Sequence, residues 1–295
     1  MLRKPHLQLI ASHAVRHGIR GGAGLLALLL TLIVGLALAS VVITPLEAAD
    51  RIAEQLGKTG PAASAERVRA EVVTVTSKAI DWAIEASPEQ LRYLTQDHPA
   101  VVSAILVMLF LVVPLLACLG GFNQTSGDIG SKGLRFLLIR TERANIFLGR
   151  FIGTFAFSAL TFAGLFAILA VYMSLQVHVH PPGEMIAWLA QGYLRVLVLA
   201  LPYVALCAWV SCAVDSPFGA LVIALLLVYL FPVFTWIATR TNEHLQFLRY
   251  ASPWAYRWWL LEPAGAHLFG AIAIMFGFAA AFLFGGLKYF SSRDL

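Results

Sequence analysis

The chain has 295 residues, 59% of them hydrophobic and 13% charged, with a formal net charge of +5. With a mean hydropathy of +0.79 it is too apolar for an ordinary water-soluble domain and reads as a protein solvated largely by lipid. A hydrocarbon layer about 30 Å thick takes about twenty helical residues to cross. Six apolar runs meet or approach that length: 21–43, 99–122, 151–172, 186–214, 217–238 and 263–287. The expected fold is an all-α membrane protein, with one six-span domain at 21–295 preceded by a polar segment at 1–20.

That first segment carries His6, His13, Arg16, His17 and Arg20 beside Leu7, Ile10 and Ala14, a pattern that predicts an amphipathic helix lying in the headgroup layer. The first apolar run is longer than the 7–15 residues of a signal-peptide core, so it is expected to remain as a span. Between the first two spans lies the largest polar insert, 45–98. Leu46, Ala49, Ile52, Ala53 and Leu56 continue the first helix until Gly57, Gly60 and Pro61 stop it. Ala65, Val68, Val72, Val75, Ala79 and Trp82 then recur in steps of 3 and 4, a heptad-like stripe on a second helix. One stripe cannot bury itself, so it packs on the other insert helix, on a second copy or on an outside partner. Ser87-Pro88-Glu89-Gln90 predicts a capped third helix, with Gln90 reaching back.

The second span ends at Gly120-Gly121, and the segment 128–149 follows as a basic island between apolar runs. Lys132, Arg135, Arg140 and Arg143 are opposed only by Asp128 and Glu142, while Ile129, Leu134, Leu137, Leu138 and Ile146 give it an apolar side. It is too polar to cross a bilayer and too apolar to be an idle linker. It is expected to form a short surface helix, opened by a capping box at Thr125 and Asp128, that presents itself to a partner.

After the third span, His178 and His180 supply only two potential metal ligands, so no metal site is expected. Arg195, near the start of the fourth span, either snorkels to the interface or lines a pathway. Asp215-Ser216-Pro217 makes a tight turn into the fifth span. The region 240–262, with Tyr250, Trp254, Tyr256, Trp258 and Trp259, is expected at the outer headgroup level as an aromatic belt, small re-entrant helices or a gate. Cys118, Cys207 and Cys212 lie in apolar runs and read as reduced packing residues. His267 reads as a packing residue of the sixth span.

With both termini in the cytoplasm, the inner segments hold eleven Lys/Arg against four Asp/Glu, and the outer segments ten against twelve. This obeys the positive-inside rule. There is no phosphate-binding loop: Gly127, Gly130 and Gly133 are evenly spaced and Lys132 lacks a following Ser or Thr. HExxH, GxSxG and CxxC patterns are missing too. The spans hold almost no Asp, Glu or Lys, which argues against an ion-coupled carrier. A catalytic activity, a bound cofactor and a nucleic-acid partner are therefore not expected.

The layout resembles the permease subunit of a type-2 ATP-binding-cassette exporter. The likeness rests on the basic helix before the first span, the six spans with a long first outer loop, and the first inner loop. That loop runs Asp128, Gly133, Leu134-Arg135-Phe136-Leu137-Leu138, Arg143, Ile146 and Leu148-Gly149-Arg150. A further part is the aromatic segment around Ser252-Pro253, followed by a last span ending Phe290-x-x-Arg293-Asp294-Leu295. Thr141-Glu142-Arg143 departs from the Pro-Val/Ile-Ser-Arg run of the family, and the insert exceeds that of its minimal members. The resemblance implies a homodimer in the inner membrane, with each copy docking a cytoplasmic ATPase that holds ATP and Mg. The loop would be the coupling helix, with Asp128, Gly133, Leu134, Arg135, Leu137, Leu138, Arg140 and Arg143 as contacts and the helix of Arg16 and Arg20 as a second contact. A different expectation from the same layout is a mechanical transmitter that grips an extracytoplasmic protein through 45–98.

Overall fold

The computed structural model describes residues 4–59, 74–84, 86–176, 181–241 and 243–293. Lipid offers no hydrogen bonds to a backbone, so apolar runs of this length must satisfy their own peptide groups as helices. Among the described residues all regular structure is helical. α1 is Lys4–Arg20, and α2 is Gly22–Thr59, running far past its apolar part. Its end at Thr59 falls just before Gly60-Pro61. Residues 74–84 form α3. α4 (Pro88–Thr95) and α5 (Ala100–Gly121) follow. Next come α6 (Ser126–Gly130), α7 (Leu134–Leu138), α8 (Arg143–Gln176) and α9 (Pro182–Ala213). α10 (Pro217–Leu225) continues through a π-helical turn, Leu226–Leu230, into α11 (Phe231–Thr241). Two 3₁₀ segments, Glu243–Ala251 and Pro253–Leu261, lead to α12 (Ala266–Ser292).

Six of these helical stretches are long and apolar enough to cross a membrane: Gly24–Thr44, Ala100–Gly130, Arg143–Leu175, Pro182–Ala213, Pro217–Thr241 and Ala266–Ser292. The chain is a multi-pass, all-helical membrane protein. An even number of spans leaves both termini, the 122–142 segment and the Asp215 turn on one face, the terminal side. Residues 45–98 and the ends of α9 and α12 near Pro182 and Ala266 belong to the other, the insert side.

Local chemistry marks the helix ends. The Ser87 hydroxyl accepts from the Gln90 N–H at 3.2 Å and Pro88 opens α4, as the sequence predicts. Gln90 does not reach back; its Nε2 donates to the carbonyl of Trp258 at 2.9 Å and ties α4 to the second 3₁₀ segment. Ser216 accepts from the Gly219 N–H at 3.3 Å and caps α10 across the tight turn.

α5 and α9 form the centre, and the other spans turn apolar faces outward to the lipid. Without a hydrophobic drive between spans, packing depends on close backbone approach at small residues. At Gly286 an added Cβ would lie 3.1 Å from the Trp209 Cα, so α12 runs tightly against α9. α1 is held against α8 in the same way: a Cβ at Gly153 would lie 2.5 Å from the Ala14 Cβ and 2.6 Å from the Ala11 carbonyl oxygen.

Replacing Gly153 with Val is therefore expected to separate α1 from α8 and to cost about 1–3 kcal/mol. A Gly270→Ala control, where an added Cβ meets nothing within 4 Å, should leave the thermal midpoint of the purified protein within error of the parent.

Candidate docking surface and the insert-side cluster

The segment expected as one helix is two. α6 and α7 are separated by Ser131–Gly133, where Lys132 adopts φ 58°, a left-handed conformation unusual for a residue with a side chain. Thr125 does not cap α6. Its N–H (2.8 Å) and the N–H of Ser126 (3.0 Å) both donate to the Ser211 hydroxyl of α9, so the loop's start is tied to the central span.

The break in the helix changes which apolar residues face outward. Leu134 is 1% exposed and sits in the protein's own core, and Leu138 packs against that core. The outward ridge is Phe136 (75% exposed), Leu137 (40%) and Ile139 (82%). Of the three leucines expected to face a partner, only Leu137 does. Sequence reasoning passed over Phe136 and Ile139, because on one continuous helix a different set would share a face. Lys132 and Arg140 are exposed beside this ridge, and Gly133 precedes α7. The side chain of Arg135 lies outside the described residues.

Two other expected contacts, Asp128 and Arg143, bond within the protein. Asp128 pairs with Arg150 of α8, which also donates to the carbonyl of Gln124. Arg143 Nη1 donates to the carbonyls of Phe290 (3.1 Å), Ser291 (2.9 Å) and Arg293 (2.6 Å) at the end of α12. A cation placed on the last carbonyls of a helix satisfies their lone pairs and the negative end of its dipole. Arg293 in turn donates to the Cys212 carbonyl at 2.6 Å and pairs with Asp215. On α1, Arg16 and Arg20 are exposed, and the His6 ring nitrogen Nδ1 lies 3.3 Å from the Thr141 hydroxyl, bringing α1 to the loop. A cavity of about 460 Å³ lies between α1, the loop and α8, reached by Ile10, Leu137 and Arg150.

On the insert side, Arg195 lies over the Trp188 ring, 4.8 Å from its centroid, and donates to the Tyr93 hydroxyl at 3.0 Å. Trp188 also stacks on His98 at 3.8 Å and donates to Ser103 at 3.0 Å. Arg195 thus joins α4, the start of α5 and α9. Burial and the Arg195 charge hold the His98 imidazole below its usual range, against a smaller opposite pull from Asp97. α3 buries Ile80 and Ile84 and turns Val75, Ala79 and Trp82 outward, with Trp82 87% exposed. The earlier part of that stripe, 65–73, and His178 and His180 lie outside the described residues, as do the side chains of 45–59.

The aromatic region does not stay at headgroup level. Trp254 meets Tyr229, the middle residue of the fifth span, edge-to-face at 5.6 Å, and Tyr256 meets Phe278, near the middle of the sixth, at 6.3 Å. The second 3₁₀ segment therefore packs at the level of the middles of these two spans. Trp258 stacks toward the buried Phe110, Trp259 stacks on His267 at the start of α12, and Tyr250 remains exposed. His267, in the first turn of the sixth span, is bonded to Glu262 at 2.7 Å.

No protein-family model matches the sequence, and no curated protein matches it.

Two outcomes are expected here. Arg143→Met should release the end of α12, lowering stability by about 1.5–3 kcal/mol and exposing the C-terminal residues to limited proteolysis. Because the folded pKa of His98 lies below its unfolded value of 6.5, its contribution is complete above that pH and is lost as pH falls toward the folded value. The thermal midpoint should therefore drop less on acidification in His98→Phe, which keeps a ring on Trp188, than in the parent.

Proposed function

We propose that this chain is the membrane subunit of an ATP-driven ABC exporter, docking a separate cytoplasmic ATPase through α7. The observation that carries the reading is the exposed ridge of Phe136, Leu137 and Ile139, set between Lys132 and Arg140 on a loop braced to α8 and α9. An apolar ridge of this kind gains about 1.5–3 kcal/mol per large side chain when it enters a protein groove, before the entropy of association is counted. The flanking cations would set register against an acidic rim. In this reading the terminal side faces the cytoplasm of a bacterial-type inner membrane, consistent with its excess of Lys and Arg. Two copies pair, each with one ATPase, and ATP and Mg belong to those partners. Hydrolysis swings the spans between two arrangements as rigid bodies. The sequence resemblance supports the same assignment.

A second reading has one observation in its favour. The outward face of α3, with Trp82 and Val75 exposed, suits a protein partner on the insert side. ATP-driven motion would then work that partner, and no cargo would cross.

The test of the first reading is co-purification with the ATPase and measurement of its coupled hydrolysis. Phe136→Asp with Ile139→Asp should abolish coupling while the permease remains folded, since both side chains lie outside its own core. Unchanged coupling in that double variant sinks the docking role. Trp82→Asp should leave efflux intact under the first reading and abolish it, or the partner's activity, under the second.

A further inference from the structure

The second 3₁₀ segment carries a cation to a depth where cations are costly. Arg257 lies 3.9 Å from the Trp254 ring centroid and 4.4 Å from that of Trp258. These neighbours place it on the same dip that meets the middles of the fifth and sixth spans. A guanidinium has five N–H donors. Here Nη1 donates to the Trp254 carbonyl at 2.7 Å, while Nε is buried without a partner. Among the described residues no carboxylate pairs with Arg257; its charge rests on the two indole rings and the Trp254 carbonyl. Its electrostatic neighbours are Tyr203 and Tyr229, not a carboxylate.

Tyr203 connects this cation to open space. It is almost fully buried, its hydroxyl is buried without a hydrogen-bond partner, and the residue borders a cavity of about 450 Å³ between α9, α10, the π turn and α12, whose lining reaches the second 3₁₀ segment at Pro253 but not Arg257 itself. The remaining lining is nearly all apolar, including Leu206, Trp209, Leu227, Phe231 and Phe282. That volume is within the range of small-ligand cavities, about 300–1,000 Å³, where a few placed polar groups fix an apolar ligand. Charged residues at membrane depth that face the protein interior mark binding points for ions or substrates. An arginine fork also matches the two oxygens of a carboxylate or phosphate.

We propose that Arg257 and Tyr203 hold the anionic head of a single-chain amphiphile whose hydrocarbon tail occupies the adjoining cavity. Tyr203 donates its hydroxyl to the anion, Arg257 supplies the charge, and Trp254 and Trp258 keep the guanidinium in place. The ligand enters sideways from the membrane, since no charged rim guards the cavity. As a binding site this stands apart from the coupling reading; that the ligand is the cargo rests on it.

The experiment is native mass spectrometry of the purified full-length protein, titrated with oleate and, separately, with oleyl alcohol. The parent should bind oleate at least tenfold more tightly than the alcohol. Arg257→Gln should remove that preference and leave alcohol binding unchanged. Tyr203→Phe, which keeps the ring and the cavity wall, should weaken oleate binding severalfold. Arg249→Gln, an exposed arginine on the preceding segment, should change nothing. Equal binding of oleate and alcohol by the parent overturns the proposal, as does an intact preference in Arg257→Gln. If that variant fails to fold, the parent's preference and the Tyr203→Phe response decide between the same two outcomes. Selective oleate binding by the parent together with intact coupling in the Phe136→Asp, Ile139→Asp protein would sink the docking role alone; equal oleate and alcohol binding by the parent together with lost coupling in that variant would sink the ligand site alone.

Discussion

Three arginines on the terminal side are committed to the protein itself, and the arrangement of that side depends on them. Arg150 fixes Asp128 and the Gln124 carbonyl, Arg143 gathers three carbonyls at the end of α12, and Arg293 joins that end to Cys212 and Asp215. Each bond is charge-assisted, and those of Arg143 and Arg293 link elements far apart in sequence. Together they fasten the loop after α5, the start of α8, the end of α9 and the end of α12 into one body. The same commitment gives Asp128 and Arg143 partners within the chain. What is left pointing outward is the short ridge on α7, with Lys132 and Arg140 beside it.

A loop so fastened has mechanical consequences. Ser211, on α9, accepts from both Thr125 and Ser126 at the start of the loop, and Gln124 donates at 3.1 Å to the carbonyl of Val204, the residue after Tyr203. α9 also presses on α12 through Gly286, where no side chain separates the backbones. Displacement of the loop's start therefore has a packed route into the central span. Packed interiors resist continuous deformation and move between discrete arrangements. In the transporter reading, this is the property a coupling loop needs.

Much of the architecture was legible in the sequence because lipid imposes a simple rule: about twenty apolar residues in a row must be helix. All six spans, the Ser87 cap and the tight turn at Ser216 follow from local pattern. The loop was legible in kind but not in register. A left-handed Lys132 breaks it, and nothing in residue order marks that break, since the neighbouring glycines at 130 and 133 would be the usual sites for it. Consequently Leu134 turned inward while Phe136 and Ile139 turned out. The aromatic segment was placed too shallow for a related reason. Tryptophan and tyrosine are enriched at membrane interfaces, yet these rings find partners on Tyr229, Phe110 and Phe278 deep in the bundle. Only tertiary contact could reveal that depth.

The depth of that segment also alters what the scarcity of charge in the spans means. Counting Asp, Glu and Lys along the six apolar runs gives an interior with almost no ionisable groups, which fits a passive lipid-facing bundle. Arg257 escapes that count because it belongs to a connection between spans, not to a span. Once the connection dips to mid-membrane, its guanidinium becomes an intramembrane charge, held by two indole faces and one carbonyl. Aromatic faces offset part of the lost hydration of a cation but supply no opposite charge. An arginine is a poor choice for simple packing at such a depth, where leucine would cost nothing to bury. Its position beside an unpartnered Tyr203 hydroxyl and near an apolar cavity is what the proposed anion site accounts for and simple packing does not.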